Sequence, residues 1–263
     1  MLELVEIIIN DDHQVLASIV VDSIEAMVRQ KPDSVLGVAT GSTPIPIYQE
    51  LARRVQAGLD LSQIRIFGLD EYVSLDETNE QSYAYFIREN IIEPCKINPA
   101  NVRLLSGVAE DLRAEAASFE AAIKAAGGVD LQILGVGHNG HIAFNEPTSS
   151  LASRTRRITL TEKTIEANSR FYPSIEDVPH QAITQGIGTI LEARHLVMLA
   201  YGEEKAYAVK EMIEGPVAAM MPASALQLHS HVSVLVDEGA ASTLLKADYY
   251  KYEWDSKTEK VLD

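Results

Sequence analysis

The stretch LQILGVGHNGHIAFNEP, residues 131–147, changes character part-way along. Leu131–Val136 reads as a buried strand, bounded abruptly by a glycine-rich polar segment. Similar apolar runs occur at Leu4–Ile9, Val35–Ala39, Ile64–Phe67, Leu196–Ala200 and Val232–Val236. Helical spacing fills the intervals. Asp11–Gln30 has apolar residues at Val15, Ile19, Ile24 and Val28, and Pro44–Ala57, Glu110–Ala126 and Glu203–Ile213 read the same way. Continuous apolar strands alternating with helices predict a doubly wound, Rossmann-like α/β fold, with a mostly parallel sheet covered by helices on both faces. One domain over residues 1–263 is expected. The polar segment 148–188, rich in Arg, Thr and Glu, interrupts the pattern and is the place for a lid or an insertion.

The composition suits such a core, at 46% hydrophobic and 23% charged residues. No stretch approaches the roughly 20 apolar residues of a membrane span, and the N-terminal MLELVEIIINDDHQ does not read as a secretory signal. Cys95 is alone, which fits a reducing, cytoplasmic compartment. The net charge of −16 disfavours nucleic acid and anionic membranes as partners. It would also repel a phosphorylated ligand at long range, so such a ligand would need a local cationic or dipolar pocket.

In an open α/β sheet, ligands bind beyond the carboxyl ends of the strands. Four strand ends here carry glycine together with polar or titratable residues: Thr40–Pro44, Gly68–Tyr72, Gly137–Pro147 and Tyr201–Lys205. In the first, Gly41 permits close backbone approach, Ser42 and Thr43 offer hydroxyls, and Pro44 suits the start of a helix, where free N–H groups attract an anion. A plain strand-to-helix turn with a Ser/Thr cap reads equally well. Neither GxGxxG nor GxxxxGK[ST] is present, which argues against NAD and ATP. In the second loop, Asp70 and Glu71 are adjacent and point to opposite sides of an extended chain, so one of them faces the crevice; capping or solvation is the competing reading.

The third loop places His141 five residues before Glu146. A histidine beside a carboxylate can shuttle protons, its tautomer and orientation fixed by its partners. Asn139 could hold the imidazole similarly, without charge. The competing reading is a glycine-rich turn with incidental polar residues. Zinc is disfavoured because HExxH and a cysteine cluster are absent, so neither metal nor cofactor is expected. There is no G-x-S-x-G elbow. Arg170 and Lys205 are candidate cations for a phosphate, with surface charge as the alternative. Lys205 opens a helix, where a cation opposes the dipole and a bound anion would supply the reason.

The segments LGVATGSTPIPIYQEL, IFGLDEYVSL, LGVGHNGHIAFNEP, ANSRF, GEEKA and EGPVAAMMPASALQLH occur in this order. Together they resemble the glucosamine-6-phosphate deaminase (isomerising) family over most of the chain; the 6-phosphogluconolactonases of the wider superfamily resemble this pattern less. The resemblance implies conversion of glucosamine 6-phosphate and water to fructose 6-phosphate and ammonia in amino-sugar catabolism. Asp70 matches the base that moves a proton between C2 and C1. His141 matches the acid–base residue for ring opening, flanked by Asn139 and Glu146. Gly41, Ser42, Thr43, Arg170 and Lys205 match the phosphate-binding positions. The implied partner is a small amino-sugar phosphate, and formation of a homo-oligomer is left open. Many members carry aspartate where this chain has Asn139; with a neutral amide there, Glu146 is expected to supply most of the charge that orients and tunes His141. Allosterically activated hexameric members carry a basic residue around Ile158, which puts regulation by N-acetylglucosamine 6-phosphate in question. The alternatives are a lactonase-like or isomerase activity on another sugar phosphate, and a non-catalytic sugar-phosphate sensor. A lactonase needs no C2 base, and sensors commonly lose the acid–base residues.

Overall fold

The computed structural model describes residues 5–169 and 172–262. Its strands are β1 (Glu6–Ile9), β2 (Val35–Val38), β3 (Arg65–Gly68), β4 (Asp70–Tyr72), β5 (Val102–Arg103), β6 (Leu131–Gly135), β7 (Arg156–Thr159), β8 (Gln181–Thr184), β9 (His195–Ala200) and β10 (Val232–Val236). Its α-helices are α1 (His13–Gln30), α2 (Ile45–Gln56), α3 (Tyr83–Ile87), α4 (Leu112–Ala125), α5 (Glu162–Asn168), α6 (Ile187–Ile190), α7 (Ala206–Ile213), α8 (Glu238–Ala241) and α9 (Ala247–Ser256).

The six apolar runs form six adjacent strands of a seven-stranded parallel sheet in the order β1-β10-β9-β6-β2-β3-β5, with the short β5 at the far edge. Every residue of β2, β9 and β10 is buried, the signature of strands covered on both faces. Helix α1 begins after Asp12, whose carboxylate accepts from the N–H groups of Gln14 and Val15 at 2.9 and 3.3 Å. It buries Leu16, Ile19, Val20, Ile24 and Val28. Val15, expected on that face, is 42% exposed; Leu16 takes the inward position instead. Helix α9, of which the apolar spacing gives no warning, buries no residue fully, and Tyr250 and Trp254 only partly, against the main core.

Residues 148–188 carry regular structure that their polarity hides. Here β7 and β8 pair antiparallel with each other, and β8 pairs with β4, making a separate sheet in the order β4-β8-β7. Asp70 is thus the first residue of a strand, not part of a loop, and stands opposite Thr184. A second apolar cluster of Tyr72, Phe144, Leu160, Ile165, Val178 and Ala182 holds this sheet and α5 together. Ile158 packs against that cluster, so the apolar residue there has a structural role of its own.

Strand order locates the crevice. From β2 the chain moves one way, to β3 and β5; from neighbouring β6 it moves the other way, to β9. The border between β2 and β6 is the switch point, and the open space lies beyond their carboxyl ends.

Candidate active site at the carboxyl edge of the sheet

The loop after β2 is tied down from beneath. Tyr48 of α2 is buried; its hydroxyl donates to the Ala39 carbonyl at 2.6 Å and accepts from the Ala39 N–H at 3.1 Å. Gly41 follows at φ +94°, a left-handed conformation that favours glycine, and open space lies beside it. The N–H groups of Gly41, Ser42 and Thr43 donate to no described residue. Helix α2 begins at Ile45, so Pro44 is its capping residue and not its first helical one; Pro46 stands in the first turn instead.

The two adjacent carboxylates divide as their alternation requires. Glu71 is buried and turned inward. Its Oε1 accepts from the N–H of Tyr72 at 2.8 Å and of Tyr83 at 3.0 Å, and its Oε2 from Ala84 at 2.8 Å, closing the first turn of α3. Asp70 faces the other way, half-buried, and no described residue donates to its carboxylate. Burial, and then the neighbouring charge of Glu71, hold the Asp70 carboxyl well above its ordinary range.

In the loop after β6 the chain doubles back: Gly137 N–H donates to the His141 carbonyl, and Gly140 N–H to the Gly137 carbonyl, both at 2.9 Å. The His141 ring lies on the bare backbone of Gly137, where an added Cβ would come within 2.2 Å of it. His141 Nδ1 is buried without a hydrogen bond and stands 3.8 Å from Glu146 Oε2. Asn139 makes no hydrogen bond to the imidazole, contrary to expectation. Its Nδ2 donates to Glu146 Oε2 at 2.7 Å, and its Oδ1 accepts from the His141 N–H at 3.2 Å. The amide therefore positions the glutamate and the histidine's backbone, and only Glu146 brings charge. Burial pushes the His141 imidazole down to about 4; Glu146 opposes that fall, while Lys205 and His138 add to it. Lys205 sits just before α7, in the turn after β9, within electrostatic reach of the His141 ring. Arg170 lies outside the described residues.

The apolar wall beside Asp70 is aromatic. Tyr83 stacks on Phe144 with ring centres 5.7 Å apart, and Tyr72 packs against Phe144 at 5.3 Å. Asn168 Nδ2 donates to the Tyr72 hydroxyl at 2.8 Å, joining the end of α5 to β4. Thr164, also on α5, donates its hydroxyl to Glu146 Oε1. Neither contact was legible in the chain; the only local signal is Thr161 capping the helix that carries both. Among the described residues, no group of three or more His, Cys, Asp or Glu side chains is arranged to hold a metal ion. A cleft of about 610 Å³ opens at the opposite edge, lined by Glu120, Lys124, Arg154 and Glu192. Its arginine is spent on its own acids: Arg154 pairs with Glu192 at 2.6 Å and with Glu120.

Residues 11–235 match the family model described as glucosamine-6-phosphate isomerases/6-phosphogluconolactonase. The chain belongs to that family. Within it, the glucosamine-6-phosphate deaminase of Arthrobacter sp. strain FB24 is 54% identical over 253 residues, spanning 96% of this chain and 97% of the relative. A solved structure of a monomeric glucosamine-6-phosphate deaminase superposes with a TM-score of 0.88 at 39% identity, covering 90% of this chain and 99% of the other. The 6-phosphogluconolactonase of Thermotoga maritima shares the fold, with a TM-score of 0.72 at 19% identity over 89% of this chain and 99% of its own.

Proposed function

We infer that this protein is a glucosamine-6-phosphate deaminase, converting glucosamine 6-phosphate and water to fructose 6-phosphate and ammonia by isomerisation coupled to hydrolytic loss of the amine. The observation that carries this reading is the division of labour in β4. Glu71 is consumed by the turn it caps, whereas Asp70 presents a carboxylate with no donor from a described residue, beside the crevice. A raised carboxyl is the stronger base, and such a base is what removal of a C2 proton requires. A lactonase has no such step.

The groups serve the reaction in order. The loop of Gly41, Ser42 and Thr43 receives the phosphate on free N–H groups, with Lys205 and Arg170 as its cations. His141, held neutral by burial, takes the proton of the anomeric hydroxyl and returns it to the ring oxygen, opening the sugar. Glu146 stabilises the transient imidazolium. Asp70 then removes the C2 proton to form an enolamine and delivers it to C1. Water adds to the resulting imine carbon, the C–N bond breaks, and ammonia leaves. Strands β7 and β8 together with α5, all within 148–188, form the lid over these steps, packed against the β4 that carries Asp70.

The test is ammonia release from glucosamine 6-phosphate by the purified protein beside D70N. Release by the wild type and a loss of about 10²–10⁴-fold in the variant are expected. Folded wild-type protein that binds the sugar phosphate but releases no ammonia would overturn the reading in favour of a lactonase or a sensor.

A further inference from the structure

Glu146 is 8% exposed, and both of its oxygens are engaged from different parts of the chain. Asn139 donates to Oε2 from within the catalytic loop, and Thr164 donates to Oε1 from α5. We propose that Thr164 is a positioning residue for the ring-opening histidine, its hydroxyl fixing the Glu146 carboxylate and, through that carboxylate, the imidazole of His141. The assignment rests on the deaminase reading, in which His141 moves the ring-opening proton.

The direction of each hydrogen bond is determined. Thr161 caps α5 by accepting from the Thr164 N–H at 3.3 Å, and its own hydroxyl proton goes to Thr164 Oγ1 at 3.1 Å. The Thr164 oxygen is thus already an acceptor, and its one proton is directed to Glu146, which as a carboxylate only accepts. The relay runs from Thr161 through Thr164 to Glu146, where Asn139 meets it from the other side while also holding the His141 N–H. Thr164 is 3% exposed, and a hydroxyl buried to that degree costs free energy unless it is bonded. Valine would fill the same space, so the hydroxyl is there for the bond. Without it, Oε1 becomes a buried charged oxygen lacking a donor. The carboxylate then has one anchor, and the 3.8 Å approach of Oε2 to His141 Nδ1 is no longer enforced. Because α5 belongs to segment 148–188, the position of that helix is read directly by the catalytic loop.

The experiment compares kcat and KM for ammonia release in wild type, T164V, T164S, E146Q and the E146Q/T164V double variant. T164V should lower kcat by about tenfold with KM within about twofold, T164S should stay within about twofold of wild type, and T164V should add less than about twofold in the E146Q background. An equal loss in both backgrounds, or a T164V enzyme as active as wild type, would overturn the proposal, since Thr164 would then act as packing or not at all. A second readout needs no activity: titration of the His141 ring by NMR on histidine-labelled protein. The groups acting on that ring are Glu146, Lys205 and His138. Loosening Glu146 removes the one that stabilises the imidazolium, so T164V should titrate at lower pH than wild type and T164S should not; an unchanged midpoint in T164V overturns the linkage. Absence of ammonia release by the wild type would refute the deaminase reading alone, and the titration would still judge the Thr164–Glu146–His141 connection.

Discussion

Two histidines stand at opposite edges of the same sheet, His195 buried and His141 part-buried. His141 lies beyond the carboxyl end of β6, and His195 begins β9 at the amino edge. Burial depresses both, His141 to about 4 and His195 to about 3. Their partners differ. His195 Nε2 is 2.9 Å from the Ser233 hydroxyl, which donates to Glu6, and its ring stacks on His231 with centres 3.7 Å apart. Beside it, His229 lies 2.7 Å from the Ala193 carbonyl and accepts from the His231 N–H at 3.0 Å. His141 Nδ1 has a carboxylate at 3.8 Å and no hydrogen bond. A depressed imidazole therefore does not by itself mark a catalytic group here. What separates the two is whether the protein itself completes the hydrogen bonding or leaves it to a ligand.

Replacing each ring in turn tests the distinction most strongly. H141Q should lower kcat/KM for ammonia release by about 10²–10⁴, the usual range for a lost general acid–base group, and leave the melting temperature near that of wild type. H195Q should keep kcat/KM within about twofold and melt several degrees lower, since it breaks a buried network. A tenfold activity loss in H195Q, or less than tenfold in H141Q, would dissolve the distinction.

A smaller effect concerns the other open group. The folded state holds the Asp70 carboxyl above its ordinary range, so its charged form costs stability at neutral pH. D70N should therefore raise the melting temperature by about 2–4 °C at pH 7. The gain should vanish at acid pH, where Asp70 is protonated in both states. A D70N protein less stable than wild type at pH 7 would show that the carboxylate has a structural partner.

A last effect is a slope. Both histidines titrate lower in the folded chain than when unfolded, so their contribution is complete above about pH 6.5 and is lost as pH falls toward about 4 and 3. Across that window each contributes at most about 1.4 kcal/mol per pH unit. Urea unfolding at pH 7 and pH 5 should show wild type losing stability, with a shallower loss in H195Q and in H141Q. Identical slopes in all three would mean that water reaches both rings.

Much of this was legible in the chain. The six apolar runs are the strands of the main sheet to within a residue or two, because burial on both faces leaves an unmixed hydrophobic signature. The polar loops of the candidate site could be found because an α/β sheet gathers its strand ends on one edge. The small sheet was hidden for the opposite reason. Arg156–Thr159 and Asp70–Tyr72 are short and polar, so neither carries a pattern that separates strand from loop. They are strands because they pair with Gln181–Thr184 and cover the cluster around Tyr72 and Phe144.

Local sequence accounts for the doubly wound sheet and the four polar strand ends, since both follow from hydrophobic periodicity and its interruptions. It also required that Asp70 and Glu71 part company, because successive residues of an extended chain face opposite ways. Packing alone settles which carboxylate stays open, as that depends on α3 arriving to be capped by Glu71. It alone moved Asn139 off the imidazole and brought Thr164 to Glu146, eighteen residues away along the chain. Such contacts are set by how α5 packs across the sheet edge, and no spacing within the chain encodes that.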